Sequence, residues 1–552
     1  MDILLSLKAG VTGQLIVPCL HAWSNRLGSS PAAGDPILAD MFSAAQLAQG
    51  SITSQQIARA TARMAAGAHD PKAAEAIRAR DTAIAKLDDL YRKRADLAAD
   101  KDKADQVKAL DAEIAKAQDA RQAAGLALQA ASPGFAQLVQ ESVTAADAQA
   151  LLRPNEALAA IVLGNDEGWT VLVRRDRITA GRIPGGSKAV NALVQRFRSG
   201  MEPGPDGKPL PFDGAAAFSL YKAVLGPVAS GLDGVESLSV SPSGSLLSVP
   251  FGALLTGEVP LDGYRNAPFL IRRMAVSHVP SVASFVNLRH AAKSVQATRP
   301  WFGLGDPHPP TLAQAERTYP VETCGDSARL LADLKPLPGS ARELDAARAL
   351  LGGSTADEML GAAFTIKDIE AAPLADYKVL HFATHALLPN ELRCQAEPAI
   401  ITSTSPSAPD AAEAMLSASE IEESLKLDAQ MVILAACNTG GSNGGEAGES
   451  LSGLARSFLF AGARSLLVTH WEANDATTTY LTALFLSLWQ AHPETGPAMA
   501  LANAQRTMLD KAEGDLSELG HPYYWAVVAL IGGEAPGAGA AVATAPVGRT
   551  GG

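Results

Sequence analysis

Cysteine is scarce in this sequence. The 552-residue chain contains four cysteines, Cys19, Cys324, Cys394 and Cys437. Their spacing matches neither a zinc ligand set nor a disulfide framework. Scarce cysteine is compatible with a reducing compartment, so we expect a cytoplasmic protein.

Long apolar runs and an excess of basic residues are also lacking. No apolar stretch reaches the roughly 18 residues that a membrane-spanning helix needs. Residues 1–20 lack a basic segment and are interrupted by Gly10, Gly13 and Pro18. They predict a poor signal peptide. The alternative to a cytoplasmic protein is an exported one, if this segment is a degraded or mis-started signal sequence. A net charge of -12 without a basic stripe disfavours direct nucleic-acid binding.

The chain does have enough apolar sequence for several cores. Hydrophobic residues make up 47% and charged residues 19% of the chain, and the length predicts about two to four domains. Residues 1–36 are interpreted as an N-terminal segment and linker, and residues 37–150 as a helical region. The Gly-, Ala- and Pro-rich residues 533–552 predict a disordered tail.

A long helical hairpin is predicted within residues 37–150. Apolar residues recur every seven positions at Ile77, Ile84 and Tyr91, and the helical spacing resumes after a polar reversal at 100–103. The two arms of about 30 residues expose much surface, so a docking arm for a regulatory protein partner is favoured over a purely structural cap. Before the hairpin, residues 37–66 predict two short helices that are separated at Gly50.

Residues 151–300 and 301–532 change to an alternation of strands and helices. This alternation predicts mostly parallel sheets that helices cover on both faces. The predicted strands are 157–163, 169–173, 177–183, 301–306, 377–382, 398–401, 430–436, 465–469 and 526–531. The predicted helices are 190–198, 215–229, 337–351, 364–372, 417–425, 450–461, 474–490 and 497–511.

Two of the predicted strands end abruptly at reactive side chains. The apolar runs that precede His385 and Cys437 each stop at polar or glycine residues. Because ligands and chemistry lie beyond the carboxyl ends of parallel strands, we expect these two residues to meet at one sheet edge. A thiol beside an imidazole is the minimum for cysteine nucleophilic catalysis, although a lone cysteine is more often buried and inert.

His381 competes with His385 for the role of the base. Both would lie on the same side of a strand, whose period is two. His381 lies inside the apolar run and is interpreted as a buried structural residue, whereas His385 lies beyond it and suits a general base and acid. A metal site at the two histidines is disfavoured, because they lie on a strand and not on a helix with an intervening Glu. The glycines of 440–445 form a separate motif, which is interpreted as a lid loop and not as a phosphate loop.

An ordered set of further motifs follows. It comprises Gly448-Glu449-Ser450-Leu451, Ala461-Gly462-Ala463, His470-Trp471 and His521-Pro522-Tyr523-Tyr524-Trp525. With the two strand ends, this order resembles the CHAT family of caspase-like proteases over about residues 375–532, and more weakly back to about residue 135. Caspases place the catalytic His about 50 residues before the Cys in the same chain order. The local caspase signature at the Cys is absent.

The resemblance implies a caspase-like α/β fold with a silent half at 151–300 and a catalytic half at 301–532. It implies a bacterial cysteine endopeptidase that needs no cofactor, cleaves protein substrates and uses His385 and Cys437 as a dyad. The backbone N–H groups of Ala386 and Cys437 would form the oxyanion hole. Ala386 replaces the glycine that is usual in the family, and would be strained if that position requires a positive φ.

The remaining candidate residues are less specific. The resemblance suggests Trp471, Asp475 and Glu446 for substrate binding, and Trp471 is nearly as well explained by core packing. Glu397 and Asp428, together with Glu446 and Asp475, are candidates for a third catalytic acid, and each is more simply a solvated or capping residue. Two other functions stay open: an inert scaffold that acts through the helical region, and a Cys–His hydrolase or transferase for a non-peptide acyl substrate.

Overall fold

The computed structural model describes most of the chain after residue 142. The described residues are 13–27, 35–48, isolated helical positions between 79 and 123, 143–204, 207–259, 263–291, 295–335, 337–387, 392–395, 397–438, 444–471 and 475–532. The second helix of 37–66, most of the hairpin and the tail 533–552 lie outside these residues. Among the described positions of the hairpin, Leu90 packs with Leu110 and Ala117.

The strands form one 13-stranded mixed sheet. Their bounds are β1 Glu156–Leu163, β2 Glu167–Arg174, β3 Ile178–Pro184, β4 Ser237–Ser241, β5 Ala275–His278, β6 Arg299–Gly305, β7 Glu358–Leu360, β8 Tyr377–Leu387, β9 Ala399–Ile401, β10 Met415–Ser417, β11 Met431–Asn438, β12 Ser465–Thr469 and β13 Val528–Gly532. The order is β10-β9-β8-β11-β12-β13-β5-β4-β1-β2-β3, with β6 beside β8 and β7 beside β6. Runs of Val, Ile, Leu and Ala fill the central strands because helices cover both faces.

The helices of the described residues follow in chain order. They are α1 Gly13–Ser24, α2 Pro36–Ala48, α3 Ala145–Leu151, α4 Gly186–Ser199, α5 Gly214–Val224, α6 Val282–Ala291, α7 Leu312–Thr318, α8 Val321–Cys324, α9 Ser327–Ala332, α10 Pro338–Leu351, α11 Ile366–Ala371, α12 Ala418–Ser424, α13 Gly444–Ala461, α14 Asp475–Ala491, α15 Pro497–Lys511 and α16 Pro522–Trp525. Short 3₁₀ turns are Gly226–Leu232, Gly244–Ser248, Phe251–Ala253, Leu270–Arg272, Thr355–Asp357, Gly361–Ala363, Leu374–Asp376, Ala412–Ala414, Pro493–Thr495 and Gly514–Gly520. Of the described helices none is long and apolar enough to span a membrane alone; α5 and Gly226–Leu232 reach that length only together, bent by 72°.

The predicted α/β class is confirmed, with a mainly parallel centre. The two α/β regions share one sheet because β5 pairs in parallel with β13, where Ile531 is in register with His278. One core face joins residues of both regions, among them Leu238, Ile433 and Trp525. The opposite face of the second region is filled by Phe382, Phe458 and their neighbours.

The mostly parallel sheet is confirmed, and its antiparallel pairs lie at the junction of the two regions and at the margins. β12 and β13 are antiparallel, because the chain between them runs through two long helices, α14 and α15, before the single turn of α16. A single crossover helix returns a chain to the edge where it began and gives a parallel strand, whereas two successive helices bring it back at the opposite edge. β9 is antiparallel to both β8 and β10.

Helix α1 differs from the prediction that Pro18 interrupts the N-terminal segment. α1 continues through Pro18 to Ser24, and its residues Ile16, Val17 and Leu20 are buried in a core under α1 and α2. Proline inside a helix removes a hydrogen bond, but Pro18 lies on the exposed side, and burial of the opposite apolar face stabilises the helix. Tertiary packing here overrides the local signal.

The expectation that the cysteine spacing builds no disulfide is wrong for one pair. Cys324 at the end of α8 and Cys394 beyond β8 are joined by a disulfide with a Cα–Cα distance of 5.5 Å. The 70-residue separation hides this contact in the sequence, since only folding brings α8 beside the chain that follows His385. The bond fastens helices α7–α9 to the segment between β8 and β9.

Candidate active site

The carboxyl ends of β8 and β11 bring His385 and Cys437 together. The two strands are parallel neighbours, and in their register Cys437 is opposite His385 and Asn438 is opposite Ala386. Neighbouring strands lie about 4.8 Å apart. For Cys437 the structure describes the backbone only. Both residues stand where the sheet meets its covering helices and loops, the edge at which parallel sheets place chemistry.

His385 is held by a backbone carbonyl. Its side chain is buried, and Nε2 lies 2.8 Å from the carbonyl oxygen of Lys335, in the turn before α10. A carbonyl oxygen only accepts, so Nε2 carries the proton, and in the neutral imidazole Nδ1 carries the lone pair. Nδ1 is buried and makes no hydrogen bond within the described part of the chain. The imidazole is thus oriented and tautomerically set, with one nitrogen left to accept a proton.

His381 has a different environment. It is fully buried, and its Nε2 lies 3.0 Å from Oε1 of Glu343 on α10. The indole ring of Trp301 meets it edge-on, with 6.5 Å between ring centroids. A histidine enclosed between a carboxylate and an aromatic ring has no path to a substrate, so His381 is a structural residue that attaches α10 to β8.

The proposed oxyanion residue Ala386 lies in β8, in register with Asn438 and with Ile400 of β9. Among the described non-glycine residues only Asp306 and Cys394 have positive φ. Ala386 therefore adopts its backbone conformation without the strain that a left-handed position would impose. The replacement of glycine has no steric cost in this conformation.

Trp471 lies just beyond β12. Its side chain is buried, its indole N–H donates to the carbonyl of Tyr523 at 3.1 Å, and the guanidinium of Arg198 lies 5.1 Å from its ring centroid. Burial lowers the pKa of Arg198 to about 10. Arg198 comes from α4, so this cation–π contact links the first α/β region to the edge of the site.

Two of the other predicted site residues pair elsewhere. Glu397 accepts a hydrogen bond from the Ser419 hydroxyl, and Asp428 pairs with Arg464. Asp475 opens α14 and Glu446 lies in the first turn of α13, and their side chains are outside the described part of the structure. Of the predicted lid loop 440–445, residues 444 and 445 belong to α13, whereas 440–443 lie outside the described residues.

A pocket beside the pair was missed by sequence reasoning. It lies between the N-terminal ends of α10 and α14, over the last residues of β8, β11 and β12, and has a volume of about 40 Å³. Its lining residues are Leu337, Gly339, Ser340, Glu343, Thr384, Ala435, Thr469, Trp471, Thr478 and Thr479. No signal in the sequence joins α10 to α14, because their contact arises only from the sheet order. Within the described residues, no three His, Cys, Asp or Glu side chains form a group that could hold a metal ion.

Fold and site together define a mixed α/β protein with a cysteine and a histidine in register at the carboxyl edge of a mainly parallel sheet. The family model of the CHAT domain matches residues 214–533. This match covers more than half of the chain, and the chain belongs to the CHAT domain family, as the motif order predicted.

Solved structures give distant matches. The Arg-specific cysteine proteinase gingipain R (RGPB) is 11% identical, with 63% of this chain and 74% of that chain covered and a TM-score of 0.32. Separase in the Saccharomyces cerevisiae separase–securin complex is 9% identical, with 76% of this chain and 34% of that chain covered and a TM-score of 0.36. These similarities are too low to carry an argument about activity. Comparison with curated protein sequences gave no match.

Proposed function

We propose that this CHAT protein is a cysteine endopeptidase that cleaves protein substrates with His385 and Cys437. The observation that carries this proposal is the register of the two residues on adjacent parallel strands. The orientation of His385 by the Lys335 carbonyl supports it, because a base must present a free lone pair to its nucleophile. No third acid is needed in this proposal, since the backbone carbonyl of Lys335 holds the imidazole.

The proposed reaction proceeds in two stages. Nδ1 of His385 takes the thiol proton of Cys437, and the thiolate attacks the scissile carbonyl of a peptide. His385 then returns the proton to the leaving amine as the acyl-enzyme forms. A water molecule, deprotonated by His385, attacks the thioester and releases the acid product with the free thiol. The Lys335 carbonyl stabilises the imidazolium in both stages, because it accepts from the N–H on the far side of the ring.

The oxyanion hole in this proposal consists of backbone N–H groups at Cys437 and Ala386. Such donors stabilise the developing oxyanion, and an alanine supplies the same N–H as the glycine it replaces. The absence of a positive φ at Ala386 supports this assignment. We further propose that the helical region 37–150 receives a regulatory protein partner, as the heptad spacing of its apolar residues suggests.

Intact-mass analysis after treatment with peptidyl acyloxymethyl ketones tests the proposal. The protein should acquire a single adduct at Cys437, and Cys437→Ala and His385→Ala should each remove it. Cys19→Ala is the matched control, because Cys19 is a free, half-buried cysteine on α1, and it should label like the wild type. Failure of all probes on the folded wild type, or labelling that does not need His385, would contradict the proposal and leave the inert-scaffold function as the better account.

A further inference from the structure

The pocket between α10 and α14 adjoins the proposed dyad. Among its lining residues, Thr384 immediately precedes His385, and Ala435 lies two residues before Cys437 in β11. Trp471 closes the side beyond β12. A peptide carbonyl held for attack by Cys437 would carry the side chain of its own residue next to this pocket.

We propose that this pocket selects a short, uncharged polar side chain before the scissile bond, with asparagine as the best fit. The inference rests on the proposed peptidase function and names the substrate class of that site. Three properties of the pocket lead to it: its unpartnered hydroxyl groups, its charge and its size.

Two buried hydroxyl groups of the pocket have no hydrogen-bond partner among the described residues. Ser340 is 6% exposed and Thr478 is 9% exposed, and neither hydroxyl oxygen makes a hydrogen bond in the described structure. The hydroxyl of Thr384, in contrast, donates to the Ile401 carbonyl at 2.7 Å. Buried polar groups are nearly always paired in native proteins, so Ser340 and Thr478 are groups that a bound polar side chain would satisfy.

The charge of the pocket disfavours an ionised side chain. Glu343 is the one charged residue among the described lining residues, and its Oε1 is engaged with Nε2 of His381 at 3.0 Å. A carboxylate in the wall repels Asp or Glu, and no Lys or Arg is present among these residues to compensate. An amide side chain donates through its NH₂ group and accepts through its oxygen, so it can pair with hydroxyl and carboxylate groups together.

The size of the pocket excludes long side chains. The pocket has a volume of about 40 Å³. In the same measure, one water molecule needs roughly 10–15 Å³. The pocket therefore has room for about three or four non-hydrogen atoms. The side chain of asparagine meets this limit, whereas those of arginine and lysine exceed it.

Four otherwise identical peptidyl acyloxymethyl ketones with Asn, Leu, Asp or Arg next to the reactive group test the inference. Asn, Leu and Asp have nearly the same shape and differ in polarity and charge. The second-order rate of adduct formation at Cys437 should be about 10-fold or more higher for the Asn probe than for the Leu and Asp probes, and the Arg probe should be slowest. A faster Arg or Asp probe would overturn the specificity while leaving the peptidase function standing. No adduct with any probe would contradict the peptidase function and this inference with it.

Hydroxyl deletions separate recognition from a structural role. Thr478→Val and Ser340→Ala should each lower the ratio of the Asn rate to the Leu rate by about 10-fold. The ratio cancels changes that affect both probes equally, and thermal unfolding of each variant shows that it is folded. Thr482→Val is the matched control, because Thr482 is buried on the same helix one turn further along, and its ratio should equal that of the wild type. An unchanged ratio in both pocket variants would contradict the inference.

Discussion

Each of the two α/β regions has a histidine near the carboxyl end of a parallel strand. His385 at the end of β8 lies opposite Cys437 of β11, whereas His278 at the end of β5 lies opposite Val240 of β4. Each histidine places its Nε2 against a backbone carbonyl, Lys335 for His385 and Val249 for His278. The backbone arrangement is therefore repeated, and the chemical difference arises from the residue on the neighbouring strand.

The surroundings of the two histidines differ as well. His278 packs edge-on against Phe251 and His470, with ring centroids 5.7 and 5.9 Å away. Burial lowers the pKa of His278 to about 4. A base that weak takes no proton from a thiol near neutral pH. The comparison teaches that a strand-end histidine becomes a candidate base only with a nucleophile in register on the neighbouring strand.

The largest effect is expected from removing the histidine of the second region. His385→Ala should slow labelling of Cys437 by about 100-fold or more, because general-base assistance is lost. His278→Gln should leave the labelling rate near that of the wild type. The measurement is the rate of adduct formation by intact mass. Equal losses in the two variants would show that the effect is structural and that the two strand ends are not functionally distinct.

The second-largest effect is expected from loss of the disulfide, which should lower the stability of the fold. Closing a loop across the 70-residue separation is expected to stabilise the fold by about 4 kcal/mol. Cys324→Ser and Cys394→Ser should each lower the free energy of unfolding by about this amount in urea titrations under oxidising conditions. Cys19→Ser, which removes a free cysteine from α1, should leave it unchanged. A wild type that unfolds identically with and without reductant would contradict the assignment.

Acidification should destabilise the protein through two buried histidines, His278 in the first α/β region and His470 at its junction with the second. Burial holds the pKa of His278 at about 4 and that of His470 well below its ordinary value. A depressed folded pKa means that the unfolded state binds the proton first, so stability is complete above about pH 6.5 and is lost as the pH falls toward 4.

The contribution of His278 alone amounts to about 3 kcal/mol over this range. Urea unfolding between pH 7.5 and pH 4.5 measures it, and His278→Gln should reduce the pH dependence. His492→Gln, at an exposed histidine on the surface, is the matched control and should follow the wild type. If His278→Gln keeps the full pH dependence, burial of this imidazole is not its source.

Restoring the family's usual glycine should have a small effect. Ala386→Gly is expected to destabilise the protein by about 0.5–1 kcal/mol through added backbone freedom, with little gain in labelling, because Ala386 has no positive φ to relieve. Thermal unfolding and labelling rates measure the two quantities. A large rise in labelling would show that alanine at this position does impair the oxyanion hole.

The smallest effect is expected from placing a thiol in the first region. Val240→Cys would set a cysteine opposite His278, at a fully buried position. Its alkylation rate in the folded protein should be negligible beside that of Cys437, because the site is closed and the neighbouring histidine is a weak base. Rapid alkylation at residue 240 would remove the distinction between the two strand ends.

Much of this arrangement could be predicted from sequence where the signal is local. The apolar runs before His385 and Cys437 located both strands, since buried parallel strands are continuous apolar runs. The end of β8 was predicted too early, at 382, because the strand continues through the polar residues to Leu387. Helices such as α10 were predicted because Pro338 begins and Gly352 ends an apolar spacing. The short helices α7–α9 were not, because four to seven residues carry too little periodicity.

The rest of the site depends on contacts between distant parts of the chain. The partner of His385 is a backbone carbonyl, at Lys335, and no side-chain pattern marks it. The pocket hydroxyls of Ser340 and Thr478 belong to helices that meet only through the sheet order. The bond between Cys324 and Cys394 is hidden for the same reason, and the exposed side of Pro18 could not be known before α1 was seen against its core.

The pH dependence of Cys437 alkylation tests the central claim most directly. Iodoacetamide labelling, read by peptide mass, should show Cys437 reacting faster than Cys19, with a midpoint below the value of about 8.5 for a free thiol. In His385→Ala this advantage should disappear. The contradicting result is a Cys437 that reacts no faster than Cys19 and has the same pH midpoint in the wild type and in His385→Ala. His385 would then not activate Cys437, although the two residues are in register.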